Sequence, residues 1–260
     1  MNLLDRASKI AEGFNSSIYQ LSDDTYGQEV ILKVMKEEFN YHPHSSQLYN
    51  EDKFLRNIET KGIRASLDLI EDQVAPILVL EYFDGKSLKQ WRQSQHPSFL
   101  DCLKIAISIT ECLSEVHSSH KLIHRDISSH NILINHNNEI QLIDFGLAIN
   151  VDIKLSVKGM SDQLLGTLPY ISPEQTGRVN HAVDYRSDLY SLGVVFYELF
   201  TGELPFQSGD PLELIHAHLA MIPKKASEIN SNIPPVFSDI LAKLLEKNVE
   251  NRYQSARDRK

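Results

Sequence analysis

Cysteine is scarce in this chain: there are two among 260 residues, neither in a Cys-x-x-Cys pair nor at a metal-ligand interval from a histidine. That excludes a disulfide framework and a cysteine-held zinc site. Cys102 and Cys112 fall ten residues apart in one predicted helix, roughly 15 Å of axial rise against the ~7 Å that a disulfide tolerates. Both are expected as helix packing residues. Basic residues are outnumbered, 26 Lys and Arg against 35 Asp and Glu, for a formal charge of -9. Most of such a surface repels a phosphate backbone, so nucleic acid is not the expected partner. Long apolar runs are missing. The longest, such as Ile77 to Leu80 and Leu192 to Phe196, fall far short of the ~20 residues that cross a bilayer, so no membrane partner is expected. Met1 to Ile10 includes Asp5, Arg6 and Lys9 and no apolar stretch, so no signal peptide is expected and a cytoplasmic, reducing location is. What the chain does have is apolar material, 42% hydrophobic against 23% charged. That excludes disorder and suffices for one large or two small cores.

No internal repeat and no Gly/Ser or Pro-rich linker divides the sequence, but its periodicity changes near residue 82. Before it come β-like runs at Lys9 to Gln20, Glu29 to Met35, Ala65 to Glu71 and Ile77 to Tyr82, with one helical stretch from Gln47 to Lys61. After it the helical period dominates, in Ser98 to Ser119, Ser187 to Thr201, Pro211 to Met221 and Pro234 to Glu246. Asn131 to Asp144 reads as a β-hairpin turning at Asn137-Asn138. Between Asp144 and Pro173 lies a long segment without clear period; a loop of that length in a compact domain is usually functional. The pattern predicts an α+β chain in two lobes, a small sheet with a single helix followed by a mostly helical lobe.

The most informative string is His124-Arg125-Asp126-Ile127-Ser128-Ser129-His130-Asn131, followed thirteen residues after Asn131 by Asp144-Phe145-Gly146. The two motifs specify seven positions, and at ~1/20 per position chance gives them on the order of one time in a billion. On these residues the chain resembles the protein-kinase family. Val30-Ile31-Leu32-Lys33 resembles the family's β3 lysine motif, and Ser172-Pro173-Glu174 its A-P-E. Asp188 and Arg252 fall where the family keeps structural polar anchors, with Arg252 expected to pair with Glu174. Gly166-Thr167-Leu168-Pro169-Tyr170 before Ser172-Pro173-Glu174 resembles the G-T-x-x-Y-x-x-P-E of Ser/Thr kinases. The run from Gln175 through Gly193 resembles a bacterial subgroup of eukaryotic-like kinases, those that head large multidomain signalling proteins carrying ATPase, sensor and histidine-kinase segments. The resemblance implies a bilobal kinase-like fold with an antiparallel β-sheet N-lobe (1–81), a hinge (82–86) and a larger, mainly α-helical C-lobe (87–260) containing an activation segment (144–174).

It also implies ATP, with Mg²⁺ or alternatively Mn²⁺, and a protein substrate bearing Ser or Thr. Phosphoryl transfer asks a protein to position the nucleophile and neutralise phosphate charge. By its match, Asp126 would take the proton of the attacking hydroxyl, and Thr167 would bond to Asp126. Asp144 and Asn131 offer the oxygen ligands that Mg²⁺ favours. Lys33 sits in an apolar strand, where an ammonium needs an anionic partner. Glu51 is the candidate, although Asp52 lies one position away. The adenine site implied between lobes would use Leu80 as gatekeeper, the Glu81 carbonyl and Phe83 N–H as hinge groups, and Ile18 and Leu133 as roof and floor. Ile10 and Gly13 belong to the stretch aligned with the glycine-rich loop, and Ile31 stands beside adenine.

Three features depart from the family pattern. Of the G-x-G-x-x-G glycines only Gly13 is present in Ile10 to Ile18, and the Ala and Ser in their place limit φ > 0. Ile31 stands where a small alanine is common, and its extra carbons would narrow the pocket. Ser128 replaces the lysine that Ser/Thr kinases usually present. Because Arg125 precedes Asp126, a phosphate on the activation segment would organise the loop, with Ser156, Ser161 and Thr167 as acceptors and Lys154 or Lys158 joining Arg125; autophosphorylation there is the expectation. Two rivals stand beside the kinase reading. One is a pseudokinase, a nucleotide-binding or scaffolding module, resting on those three departures. The other is a small-molecule kinase, which shares the Asp, Asn and Asp core but usually lacks the segment from Gly166 to Glu174. Downstream signalling domains or partner proteins are implied as further partners.

Overall fold

The chain is described from a computed structural model, which covers residues 3–13, 15–23, 25–39, 46–56, 58, 60–71, 75–151 and 166–257. It divides into two compact units: Met1–Asp84 with Ile143–Ala148, and Gly85–Leu142 with Ile149–Lys260.

In the first unit five strands, β1 (Ser8–Glu12), β2 (Ser16–Asp23), β3 (Gln28–Met35), β4 (Ser66–Ile70) and β5 (Ile77–Glu81), form an antiparallel sheet in the order β1-β2-β3-β5-β4. Helix α1 (Ser46–Leu55) is inserted between β3 and β4. Successive strand residues point to opposite faces, and the register sorts them. Leu32 pairs with Val79, and Val30, Leu32, Ile77 and Val79 join Leu21 in one buried cluster. Ile31 pairs with Leu80 and Lys33 with Leu78 and Ile18, so these share the opposite face. The run from Lys9 to Gln20, read as a single β stretch, is in fact β1, a tight turn and β2; Gly13 N–H closes the turn on Ser16 O at 2.8 Å. No described residue of that turn has positive φ, so the hairpin forms without the conformational freedom of the two absent glycines. The helix expected over Gln47 to Lys61 stops at Leu55, where Asn57, Ile58 and Thr60 bring low helix propensity.

The second unit contains β6 (Gly85–Ser87), α2 (Leu88–Gln95), α3 (Phe99–Ser118), β7 (Leu122–Ile123), β8 (Ile132–Asn135), β9 (Ile140–Leu142), β10 (Ile149–Asn150), α4 (Tyr185–Thr201), α5 (Pro211–Ala220), α6 (Ala226–Ile229) and α7 (Pro235–Leu244). The expected hairpin is β8 and β9, with Asn138 in the left-handed region at its turn (φ 60°). Helix α2 was not expected. It buries only Leu88 and Trp91, too few apolar residues to show a period, although its Ser87/Gln90 capping box is a local start signal. Cys102 and Cys112 are buried in α3 and joined by no disulfide, and burial pushes their thiols up to about 11 and about 12. No helix among the described residues is long and apolar enough to cross a membrane.

Helix α4 is the axis of this unit, buried at fourteen positions. At Gly193 it touches α7 so closely that an added Cβ would lie 2.7 Å from Leu244 Cβ. Gly→Ala in a helix interior ordinarily gains about 1 kcal/mol. Here a rigid Cβ obstructs it, and overpacking costs about 1–3 kcal/mol, so Gly193→Ala lowers the urea midpoint. His218 is fully buried against the Tyr190 hydroxyl, 3.0 Å from Nδ1. Burial, and then the Lys247 charge, pushes it down to about 4. The unfolded chain takes up that proton near pH 6.5 and the folded protein not until about pH 4, so stability falls as pH drops through this window, by roughly 3 kcal/mol. Urea melts between pH 7 and 4 check this, with a flatter slope in His218→Gln.

Candidate active site

Within the first unit, strand alternation aims Lys33 from β3 at α1. Its Nζ donates to Glu51 Oε2 at 2.7 Å and to Asp144 Oδ1 at 2.9 Å. Lys33 and Glu51 are buried, while the Asp144 side chain is 38% exposed. Burial works against the Lys33 ammonium, and the charges of Asp144 and Glu51 more than reverse it, raising its pKa above the ordinary value. Glu51 is pushed up by burial, which Lys33 and Arg64 oppose. The neighbouring carboxylate, Asp52, takes a different role: it accepts from Arg56 Nε at 2.7 Å and Ser66 Oγ at 2.6 Å, tying α1 to β4. This resolves the one-residue ambiguity in the sequence.

Helix α1 also holds the segment carrying Asp144. Asn50 Nδ2 donates to Gly146 O and Ala148 O, each at 2.9 Å, and a side chain on Gly146 would press on Gln47. Asp144 itself has φ 67°, a conformation that costs a non-glycine residue energy and persists only where surrounding bonds impose it. Asn50 has no sequence signature, and the reading of the motifs missed it. Of the nucleotide-site candidates, Ile10, Gly13, Ile18, Ile31, Leu80, Glu81 and Phe83 lie in this unit. Ile31 and Leu80 are cross-strand neighbours, each 2% exposed. Ile18 is partly buried and Ile10 is 49% exposed beside a bulge in β1. Glu81 N–H is already committed to Ala65 O at 3.0 Å, and Phe83 is half-buried.

In the second unit Asp188, buried in α4, accepts His124 N–H and Arg125 N–H at 2.8 Å each and bonds His117 Nε2 at 2.8 Å. Burial pushes Asp188 up, but the bond and charge of His117, with His124, outweigh it and leave the carboxyl below its ordinary value. Arg125 is thereby held at φ 66°, and Asp126 follows. Asn131 Nδ2 donates to Asp126 O at 2.9 Å and Oδ2 at 2.8 Å. Thr167 supplies its N–H and its hydroxyl to Asp126 Oδ1 at 2.8 and 2.9 Å. Gly166, at φ 108°, lets the chain pass close to Arg125 O; a Cβ there would sit 3.2 Å from it. Leu133 is half-buried in β8, paired with Gln141. Ser128 is fully buried, and its hydroxyl has no hydrogen-bond partner among the described residues, so it does not present a polar group where a lysine was missed. Ser156, Ser161, Lys154 and Lys158 lie outside the described residues.

Arg252 pairs with Glu174 as the motifs suggested, by Nη1 at 2.7 Å and Nη2 at 3.0 Å, and gives its remaining donors to the carbonyls of Arg186, Glu246 and Lys247.

This geometry agrees with comparison to known proteins. The family model described as protein kinase domain matches residues 4–258. The chain belongs to the protein kinase family. It is 30% identical over 251 residues to a probable serine/threonine-protein kinase of Clostridium perfringens, covering 96% of this chain and 36% of that protein. It is 29% identical over 262 residues to the serine/threonine-protein kinase PrkC of Bacillus subtilis, covering 96% and 38%. A 90-residue stretch is 59% identical to the hybrid signal transduction histidine kinase G of Dictyostelium discoideum, which covers 35% of this chain and 3% of that protein. The chain thus spans little more than a third of the length of the bacterial relatives.

Removing Lys33 takes from the fully buried Glu51 its hydrogen-bonded ammonium. Breaking a buried pair in this way costs about 3–5 kcal/mol. Lys33→Met is therefore strongly destabilised, whereas Lys33→Met with Glu51→Gln recovers part of the loss; a urea double-mutant cycle gives the coupling.

Proposed function

We propose that this chain is a serine/threonine protein kinase domain, transferring the γ-phosphoryl group of ATP to hydroxyls of protein substrates. Lys33, held by Glu51, binds the α- and β-phosphates. The first unit supplies Leu80, Ile31, Ile18 and Ile10 as apolar groups for adenine, with the Glu81 carbonyl and Phe83 N–H for its edge and Gly13 in the turn for the phosphates, and the second supplies Leu133 for the same apolar role. The Asp144 carboxylate and the Asn131 amide oxygen are hard donors of the kind Mg²⁺ selects; because Asn131 spends its nitrogen on Asp126, its oxygen is the atom offered to a cation. Held by donors of this kind, Mg²⁺ would supply charge neutralisation on the β- and γ-phosphates.

The carrying observation is Asp126, whose two oxygens are fixed by Asn131 and by Thr167. A carboxylate so oriented accepts the proton of a serine or threonine hydroxyl as its oxygen attacks the γ-phosphorus and the bond to the β–γ bridging oxygen breaks, leaving ADP. Thr167 on Asp126 supports the Ser/Thr form of the segment. Autophosphorylation of the activation segment is part of this reading, with Ser156 and Ser161 as its acceptors, since Thr167 is engaged by Asp126. The presence of Lys33, Glu51, Asp126, Asn131 and Asp144 together favours an active enzyme over a scaffold.

Radiolabel transfer from Mg-ATP to a generic basic protein tests the mechanism. Asp126→Asn lowers the rate by 10²- to 10⁴-fold, about 2.7–5.5 kcal/mol; equal incorporation by both proteins overturns the role given to Asp126.

A further inference from the structure

We propose that a pocket on the second unit takes an acidic side chain of the protein substrate, close in sequence to the hydroxyl that is phosphorylated. This rests on the kinase reading above and names the class of substrate it acts on.

The pocket is a small hollow between α2 and α4, open to solvent and lined among others by Lys89, Arg92, Ser129, Glu198 and Gly202. It is joined to Asp126 by two short routes. Ser129 is three residues after Asp126, and its hydroxyl bonds Tyr170 Oη at 2.7 Å; Tyr170 is three residues after Thr167, which holds Asp126. A polypeptide presenting a hydroxyl at Asp126 therefore runs past this wall within a few residues.

The charges of the pocket do not cancel. Lys89 and Arg92 are both half-buried, and neither has a carboxylate partner among the described residues. Arg92 Nε donates to Leu199 O at 2.8 Å, which orients the guanidinium. Its Nη2 lies 3.3 Å from where a side chain on Gly202 would begin, and Gly202 is at φ 86°, so the space before the guanidinium is kept clear. Glu198 is the one carboxylate of the lining, 8% exposed, and its Oε2 already accepts from the Tyr170 hydroxyl. Partial desolvation, and then the Lys89 ammonium, holds the His130 imidazole below its ordinary value. Lys89 is thus close to the loop that carries Asp126, and His130 adds no third cation at neutral pH. Two cations facing one covered carboxylate leave a local positive charge on a protein whose formal charge is -9. A glutamate or aspartate side chain completes it, taking charge-assisted bonds from the guanidinium fork and the ammonium.

The test uses the full chain, Mg-ATP and serine peptides identical except at one position, scanned along both sides of the serine with Glu, phosphoserine, Gln or Arg. At one such position Glu raises kcat/KM about tenfold over Gln, and Arg falls below Gln. Lys89→Glu, which loses no side-chain hydrogen bond among the described residues, abolishes or inverts that ranking, as does Arg92→Gln, with thermal melts confirming that each variant is folded. A phosphoserine peptide far ahead of the glutamate peptide keeps the pocket and assigns it a phosphorylated side chain. Equal rates for Glu, Gln and Arg at every position overturn the proposal. A preference for Arg overturns it too, and gives the pocket to Glu198. Transfer to no peptide, together with none to the generic basic protein, overturns the kinase reading beneath it.

Discussion

A carboxylate buried in the first turn of a core helix cannot remain ionised unless the surrounding chain gives it donors. Asp188 is that group, and much of the second unit is arranged around it. The donors it receives are the amides of His124 and Arg125 and the ring of His117. Meeting them bends the loop into a left-handed turn at Arg125, and the turn sets the direction in which Asp126 leaves the backbone. The strain at Arg125 is thus held by an ion in the core, remote in sequence from the loop it shapes. Helix α4 can serve this purpose because it is buried over nearly its whole length and cannot shift without disturbing α7 at Gly193.

The first unit solves a similar problem with opposite sign. There the costly ion is an ammonium on an apolar strand, and the compensating groups come from a helix and from a segment far along the chain. Because α1 holds Glu51 and, through Asn50, the segment of Asp144, a shift of this one helix would alter both partners of Lys33 together. Asp52 and Ser66 in turn fix the helix to the sheet. Position, rather than the identity of any one residue, is what α1 contributes.

How much of this could be read from the sequence depended on the strength of each local signal. The motif residues stood out because their chemistry is narrow, and two expected pairs are found, Lys33 with Glu51 and Thr167 with Asp126; the bonds of Asp144 to Lys33 and of Asn131 to Asp126 were not foreseen. Helices α3, α4, α5 and α7 were legible because their apolar faces repeat over many turns. Helix α2 was not, since Leu88 and Trp91 alone cannot make a period. The end of α1 was misplaced because the residues after Leu55 are only weakly unfavourable to helix. Asn50, Ser129 and Glu198 escaped notice for another reason: polar residues of ordinary type announce nothing until folding shows what they face.

The two cysteines have a practical consequence. Their sulfurs are covered within α3 and remain protonated well beyond neutral pH, and it is the thiolate that reacts with alkylating agents. A cysteine introduced on the surface would therefore react with a maleimide dye far faster than the native pair. Fluorescent or spin probes can thus be attached one site at a time without first stripping the protein of its own sulfur.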